Sequence, residues 1–436
     1  MKLLRKTNNE DKKVYWLAFI ELFKIKYISK MSIKYKRYYI FGVQVYKKRC
    51  VSDFIDEEHF LTFLKTLSKS YKTILFFDHS LGGGTEKYFF DQLINLKKEY
   101  LVLRFQYFYV LKVYRLTIYY NDEYKYCQNS EISKLLSIIK KINLKEVVIN
   151  NLVGYKSTLG ILEIVSELKK SVWKNVRLSV RGHDFQAVCP SFNLLNDKFN
   201  YCRCPPISEC LKCFPKIKVS NNLYANKVLL SGSSDIVLWR KKWNDFFSNN
   251  VDEVIFFSNS TKDIFCQVYP TLKNKFVIIP HFVYKLCKVE IKKHRAINIG
   301  VLGEINLIQK GKFIIEGMIS LIPSKNVKII IIGTFSKNKY QNVIVTGRYE
   351  KEKLPDIIQN EEIDIVFIPS IWPETFSYVT SEAMMMGLPV ACFNLGSQAE
   401  RVSIYDKGLI INEISADIAL REIINFIDTR RDNLDK

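Results

Sequence analysis

The sequence predicts an α/β protein made of two doubly wound domains, on three observations. From Thr73 onward, short β-rich runs alternate with helix-length periodic segments, the pattern of parallel sheets covered by helices. The strand runs fall into two series, separated by the polar and basic stretch YKLCKVEIKKHRA at 284–296, which suits an interdomain linker. A chain of 436 residues also exceeds what one hydrophobic core usually serves.

In the first series TILFF (73–77) is a strand that leads into Gly82-Gly83-Gly84 and then a helix from about Thr85. EVVIN (146–150) and VRLSV (176–180) are later strands of that series. The second series is INIGVLG (297–303), VKIIIIG (327–333), VIVTG (343–347), IDIVFI (363–368) and LPVACF (388–393). These runs set a first domain over 71–285, with a cysteine-containing insert at 185–221, and a second over 290–436. Residues 1–70 stand outside both as a basic, aromatic extension, and no tandem repeat or low-complexity tract interrupts the chain.

A hydrophobic content of 48% with 25% charged residues is ordinary for a globular protein, but a net charge of +22 is not. Residues 1–50 hold fourteen Lys or Arg against three acids, a net of +11. Such a segment can face anionic lipid or nucleic acid. An anionic membrane surface is the preferred partner, because Trp16, Phe19, Phe23, Tyr35, Tyr38 and Tyr39 are side chains that favour an interface. Nucleic acid has charge alone in its favour and no recognisable binding fold. The helical projection is untidy, with Lys12, Lys13, Glu21, Lys24 and Lys26 on several faces. An aromatic helix and hairpin packed on the main body, with solvated lysines, therefore stands beside the membrane reading. YYIFGVQVY (38–46) itself reads as a strand or hairpin. The longest apolar run near the start, Val14 to Ile20, is closed by Glu21 and is too short to span a bilayer or serve as a signal peptide. The expected location is cytoplasmic, peripheral on the inner face of the cytoplasmic membrane.

The most informative stretch is PSIWPETFSYVTSEAMMMGLP (369–389), which sets Glu374 and Glu382 eight residues apart across a strand-to-helix turn. Ser377 to Met386 is a helix candidate, with Ser377 or Thr375 as N-cap and Gly387-Leu388-Pro389 as the stop. Two turns of helix rise roughly 11 Å. The two carboxylates can then grip the ends of one extended ligand, while free N–H groups near Phe376–Tyr378 hold an anion between them. A nucleotide sugar has that layout. The plain alternative is an amphipathic helix with two incidental solvated acids.

This segment resembles the Glu-x7-Glu signature of retaining glycosyltransferases of family four, including the neighbouring Phe and the Gly-x-Pro that ends the helix. The resemblance covers roughly residues 71–420. It implies the GT-B arrangement, two facing Rossmann-like domains around one cleft, with Glu374 contacting the donor sugar and Glu382 the nucleotide ribose. It also implies retention without a covalent enzyme intermediate, since the leaving phosphate oxygen can take the acceptor proton on the same face.

Other residues extend the pattern. Gly82, Gly83 and Gly84 let backbone approach a phosphate or sugar closely, although a glycine run is equally a tight turn. In the family a Gly-Gly loop at this place borders the donor phosphate and acceptor. Lys310-Gly311, between INIGVLG and a helix, can neutralise a departing diphosphate and matches the family's Lys-Gly. The Arg usual after the preceding glycine is missing, because Glu304 follows Gly303; Arg348, after VIVTG, can substitute or be a solvated loop arginine. His183-Asp184 resembles the His-Asp that such enzymes aim at the donor phosphate or reacting sugar, its tautomer fixed by the adjacent acid or by backbone. A lone strand-end histidine is more often a structural group, and His281 is a weaker candidate. No Asp-x-Asp occurs, so no catalytic divalent ion is expected.

Cys189, Cys202, Cys204, Cys210 and Cys213 crowd into twenty-five residues, with a C-x2-C pair at 210–213. The spacing reads first as a structural zinc site, and an iron–sulfur cluster, free thiols or a disulfide are the alternatives. Cys189, Cys202, Cys210 and Cys213 are the chosen ligands, because some bacterial family-four transferases carry a similar insert; a loop this long suggests a clip.

The resulting expectation is a glycosyltransferase that moves a hexose from a nucleotide-diphosphate sugar to a glycan or lipid-linked glycan, in polysaccharide or lipopolysaccharide assembly. A nucleotide-sugar epimerase on the same fold would need acids and bases around the sugar that are not evident. A basic scaffold binding nucleic acid or an anionic polymer rests on charge alone.

Overall fold

The computed structural model describes residues 53–217, 235–290, 294–322, 326–335 and 342–434, together with the backbone of five strands between residues 4 and 49. The chain divides into two compact units, Met1–Leu75 with Ile94–Leu144 and Phe76–Leu93 with Lys145–Lys436.

In the first unit β1 (Leu4–Asn9), β2 (Lys12–Leu17), β3 (Ile20–Lys30), β4 (Ile33–Ile40) and β5 (Val43–Arg49) pair antiparallel in chain order. The segment is therefore a meander, and the helix expected within it does not form. Its Ile, Val and Tyr content favours strands, and two-residue connections suit hairpins. Helix Glu57–Leu67 follows, capped by Asp56, whose Oδ1 accepts the N–H groups of Glu58 and His59. Strand β6 (Lys72–Asp78) leads from the first unit into the second. A second antiparallel meander, β7 (Tyr100–Phe108), β8 (Val113–Tyr120) and β9 (Glu123–Asn129), completes the first unit. Its buried Arg115 lies over the rings of Phe108 and Tyr126 and donates to Gln128.

The second unit holds two sets of parallel strands. β10 (Leu144–Ile149), β11 (Arg177–Arg181), β12 (Glu253–Phe256) and β13 (Phe276–Ile278) run side by side in chain order. The other set is β14 (Ile297–Glu304), β15 (Val327–Thr334), β16 (Val343–Val345), β17 (Ile365–Ile368), β18 (Val390–Phe393) and β19 (Gly408–Ile411). Its order is β16-β15-β14-β17-β18-β19 and every printed pair is parallel. That is the doubly wound order that reverses between its first and fourth strands. Both faces are covered, which is why these strands read as unbroken apolar runs. Ile299, Val301, Ile329, Ile331, Ile365 and Phe367 pack in one layer, and Leu302, Ile330, Ile332, Val366 and Ile368 in the other. The strands read from sequence appear as β6, β10, β11 and β14 to β18, while β12, β13 and β19 join them at the sheet margins.

Candidate active site

Open α/β sheets bind ligands outside the carboxyl ends of their strands, where strand order reverses. Here that point lies between β14 and β17. The turn after β14 carries Lys310 and the loop after β17 carries Glu374, so the topology brings together residues far apart in sequence. Lys310 Nζ lies 2.7 Å from Glu374 Oε1, and Ser370 Oγ donates to the same oxygen. Glu374 is 3% exposed. Burial alone would raise its carboxyl, but the Lys310 charge and hydrogen bonds from Lys310, Ser370 and Ser377 outweigh it and hold the group below the ordinary carboxylate value.

Two glycines make this loop possible. Gly311 adopts φ 84°, and a Cβ there would sit 2.1 Å from the carbonyl oxygen of Pro369. Gly396 adopts φ 58°, and a Cβ there would meet Pro373 Cα at 2.5 Å and Glu374 N at 2.6 Å. The Glu374 loop is thus clamped between backbone segments that no larger residue allows.

Ser377 is the N-cap of helix Tyr378–Met385, and its Oγ accepts the N–H of Thr380. Glu382 lies inside that helix and is buried. Its carboxylate faces Lys351 Nζ at 3.2 Å, and burial pushes its pKa up against the opposing charges of Lys351 and Lys87. Lys351 is thus the cation beside Glu382. Arg348 instead faces Glu304, whose carboxylate is held low despite burial by hydrogen bonds from Thr334 and Asn306 and by the Arg348 charge. Phe376 stacks on His281 at 4.3 Å and lies under the Arg401 guanidinium at 4.6 Å. Arg401 donates to the carbonyl oxygens of Ser377 and Ser397 and to Ser381 Oγ, and burial pulls its pKa down to about 10. It braces the turn between the two glutamates.

His183 sits at the end of β11, with its ring 4.7 Å from those of Tyr88 and Phe257. Asn150 Nδ2 donates to Asp78 Oδ1 at 2.9 Å, which turns its own Oδ1 toward His183 Nε2 at 3.0 Å. His183 Nε2 therefore carries the proton and Nδ1 is left as an acceptor. Burial, with the nearby His281, His79 and Arg181, keeps the imidazole well below its ordinary pKa and neutral. Asp184 does not set this tautomer. Its carboxylate accepts from Asn151 Nδ2 and from the N–H of Gln186.

The glycine loop joins the same constellation. Gly82 and Gly83 have positive φ, and a Cβ on Gly84 would touch the Tyr378 ring at 3.6 Å. Tyr378 in turn shares a 2.8 Å hydrogen bond with His281 Nδ1, and Lys87 Nζ lies over its ring at 4.4 Å. Thr375 Oγ1 donates to the His183 carbonyl at 2.7 Å, and Glu400 accepts the N–H groups of Asn259 and Ser260. Glu374, Lys310, Phe376, Ser377, Glu382, His183 and the glycine loop are therefore parts of one connected network, while the Arg348 charge acts on Glu304. Sequence reasoning missed Asn150, Asp78, Lys351 and Arg401, and undervalued His281. No signal in the sequence pointed toward Lys351.

Residues 316–436 match the family described as glycosyl transferases group 1. The match is confined to this part of the chain. No curated protein matches the chain. Among solved structures, it is similar to Anabaena Alr3699/HepE in complex with UDP-glucose, at a TM-score of 0.53 and 15% identity over 83% of this chain and 91% of that one. Sucrose-phosphate synthase from Thermosynechococcus elongatus matches at a TM-score of 0.53 and 13% identity, covering 82% and 90%. The lipopolysaccharide outer core galactosyltransferase WaaB in its apo form matches at 0.50 and 12%, covering 82% and 91%. The shared fold is GT-B. Among the described residues no helix is long and apolar enough to cross a membrane.

The expected zinc finds no support in the structure. Cys189, Cys202, Cys210 and Cys213 are free, and among the described residues no group of three or more His, Cys, Asp or Glu side chains could hold a metal ion. With Cys204 they line a cavity of about 550 Å³. The loop is tied down in another way. Trp239 Nε1 donates to the carbonyl of Gln186, Arg240 to that of Val188 and the Tyr269 hydroxyl to that of Ala187, while Phe185, Leu194 and Leu195 are buried. Backbone ties and apolar burial thus hold the start of this loop.

Proposed function

We propose that this chain is a GT-B glycosyltransferase that moves a hexose from a nucleotide-diphosphate sugar to a glycan or lipid-linked glycan acceptor, with retention of anomeric configuration. The observation that carries the reading is the Lys310–Glu374 pair at the strand-order reversal, followed eight residues later by Glu382 inside the next helix. The UDP-glucose complex of HepE supports a nucleotide-sugar donor in a chain of this fold. In this reading Glu374, ionised by Lys310, accepts hydroxyl protons of the donor sugar, and Glu382 accepts from the ribose. Lys310 and the free N–H groups at Phe376–Tyr378 stabilise the departing diphosphate, with no divalent ion required. His183, neutral with Nδ1 open, suits a sugar hydroxyl better than a phosphate. The glycine loop at Gly82–Gly84 borders the reacting centre.

Thermal stabilisation by UDP, GDP and their sugar conjugates tests the donor, since a ligand that binds only the folded form raises Tm. Release of nucleotide only when acceptor is supplied, with the donor's anomeric configuration kept in the product by NMR, is the expected result. Release of nucleotide without acceptor and conversion of the sugar alone would instead mark an epimerase.

A further inference from the structure

The register of the N-terminal meander places its cations unevenly. Lys12 pairs with Lys26, Lys26 with Arg37 and Arg37 with Lys47, so four basic positions lie directly opposite one another in a single row across β2 to β5. At about 4.8 Å between strands the row spans roughly 14 Å. Residues two apart on a strand share a face. Lys24 and Arg49 therefore belong to the same face as the row, as do Tyr35 and Tyr39. No acidic residue occupies the three registers that these positions define. The opposite face holds fewer cations: its registers are Lys13, Ile25, Tyr38 and Tyr46, then Tyr15, Phe23, Ile40 and Val43, and on the other side Tyr27, Lys36 and Lys48, with one directly opposed pair of lysines and no row of four.

Like charges directly opposite one another destabilise a sheet. A row of four is retained most cheaply where an outside anion neutralises it. We infer that this face of the meander is a docking surface for an anionic phospholipid membrane. The cations form a two-dimensional array, extended on both sides of the row, which matches a sheet of headgroups better than a single linear polymer. Tyr35 and Tyr39 add side chains that favour a membrane–water interface. Attraction of this kind accumulates with each basic residue near the surface and weakens with salt. The inference does not rest on the transferase reading.

Co-sedimentation of the full chain with phosphatidylcholine vesicles containing about one-third phosphatidylglycerol tests it. Binding to these vesicles, none to pure phosphatidylcholine, and release by salt are expected. Lys12→Glu/Arg37→Glu should lower affinity at least about tenfold. Lys36→Glu/Lys48→Glu makes the same charge change at a directly paired position of the opposite face, and should retain affinity within about threefold. Circular dichroism and thermal melting check that each variant folds, and Lys12→Gln/Arg37→Gln replaces the first should it misfold. Equal losses in both double variants, or no vesicle binding by the natural chain, would overturn the assignment. Binding to heparin at a salt concentration that strips the vesicles would do so too, and would make a soluble polyanion the partner.

Discussion

The Lys310–Glu374 pair sets a buried carboxylate against a partly exposed ammonium group. Glu374 is almost fully buried while the Lys310 side chain is 37% exposed. Removing the lysine leaves a carboxylate with a desolvation cost and less compensation. Lys310→Ala should slow transfer about 100- to 1000-fold, by analogy with loss of one stabilising group at a developing charge. It should also lower Tm, and Lys310→Ala/Glu374→Gln should recover part of that loss by scanning calorimetry without recovering turnover. Glu382→Ala should chiefly weaken donor binding, read as a smaller nucleotide-induced rise in Tm. Near-normal kinetics in both Lys310→Ala and Glu382→Ala would remove the site assignment. Two buried histidines contribute to sensitivity to acid. Burial draws His183 well below 6.5 and, with Lys87 and Arg401, His281 to about 3, so both fold neutral. Their contribution is fully present above about pH 6.5 and is lost as pH falls from there toward the folded values, by up to about 1.4 kcal/mol per pH unit for each. Burial raises Glu382, and it lifts Asp184 to about 6; both act in the opposite sense over part of that range. The decisive comparison is therefore with His281→Phe, which keeps the ring stack on Phe376. Its Tm should fall less steeply between pH 6.5 and 5 than that of the natural chain.

At the level of elements, the Glu374 loop is shaped by what surrounds it. Gly311 and Gly396 let Pro369, Pro373 and Glu374 approach backbone that a Cβ would displace. Gly311→Ala combines a left-handed φ with a 2.1 Å clash against a carbonyl, and should cost about 2–4 kcal/mol together with transfer activity. Gly83→Ala is the control. It also has positive φ, but a Cβ there meets nothing within 4 Å, so about 1–2 kcal/mol is expected by urea denaturation. Equal costs would show that conformation alone, and not the packing of the loop, explains the glycines. Helix Tyr378–Met385 needs its partners as well. Its Ser377 cap was readable from the sequence, but the Arg401 brace comes from another helix, Gly396–Val402.

At the level of the whole molecule, specific polar contacts join the two parallel-strand systems of the second unit. Thr375 Oγ1 reaches the His183 carbonyl, and Glu400 caps the start of helix Asn259–Val268. Thr375→Val/Glu400→Gln should lower Tm by a few degrees and raise KM for the donor more than it lowers kcat, since it loosens the arrangement without touching Lys310 or either site glutamate. Donor kinetics with KM unchanged would count against this coupling.

The sequence by itself determined the parallel strands, because both their faces are buried and continuous apolar runs follow directly from that. Ser377 and the Gly-Leu-Pro stop marked the helix carrying Glu382, since caps are local chemistry. β7 is equally apolar but carries no period-two alternation, and periodicity alone does not separate such a run from a buried helix. The N-terminal meander has mixed charge and aromatic content, and its strands are defined by pairing across turns rather than by any one segment. Lys351 at Glu382, Asn150 at His183 and Arg401 under Phe376 were decided only in three dimensions. Each joins residues between 25 and 33 positions apart, and a contact over that distance depends on how strands are ordered and crossed, which no local pattern encodes.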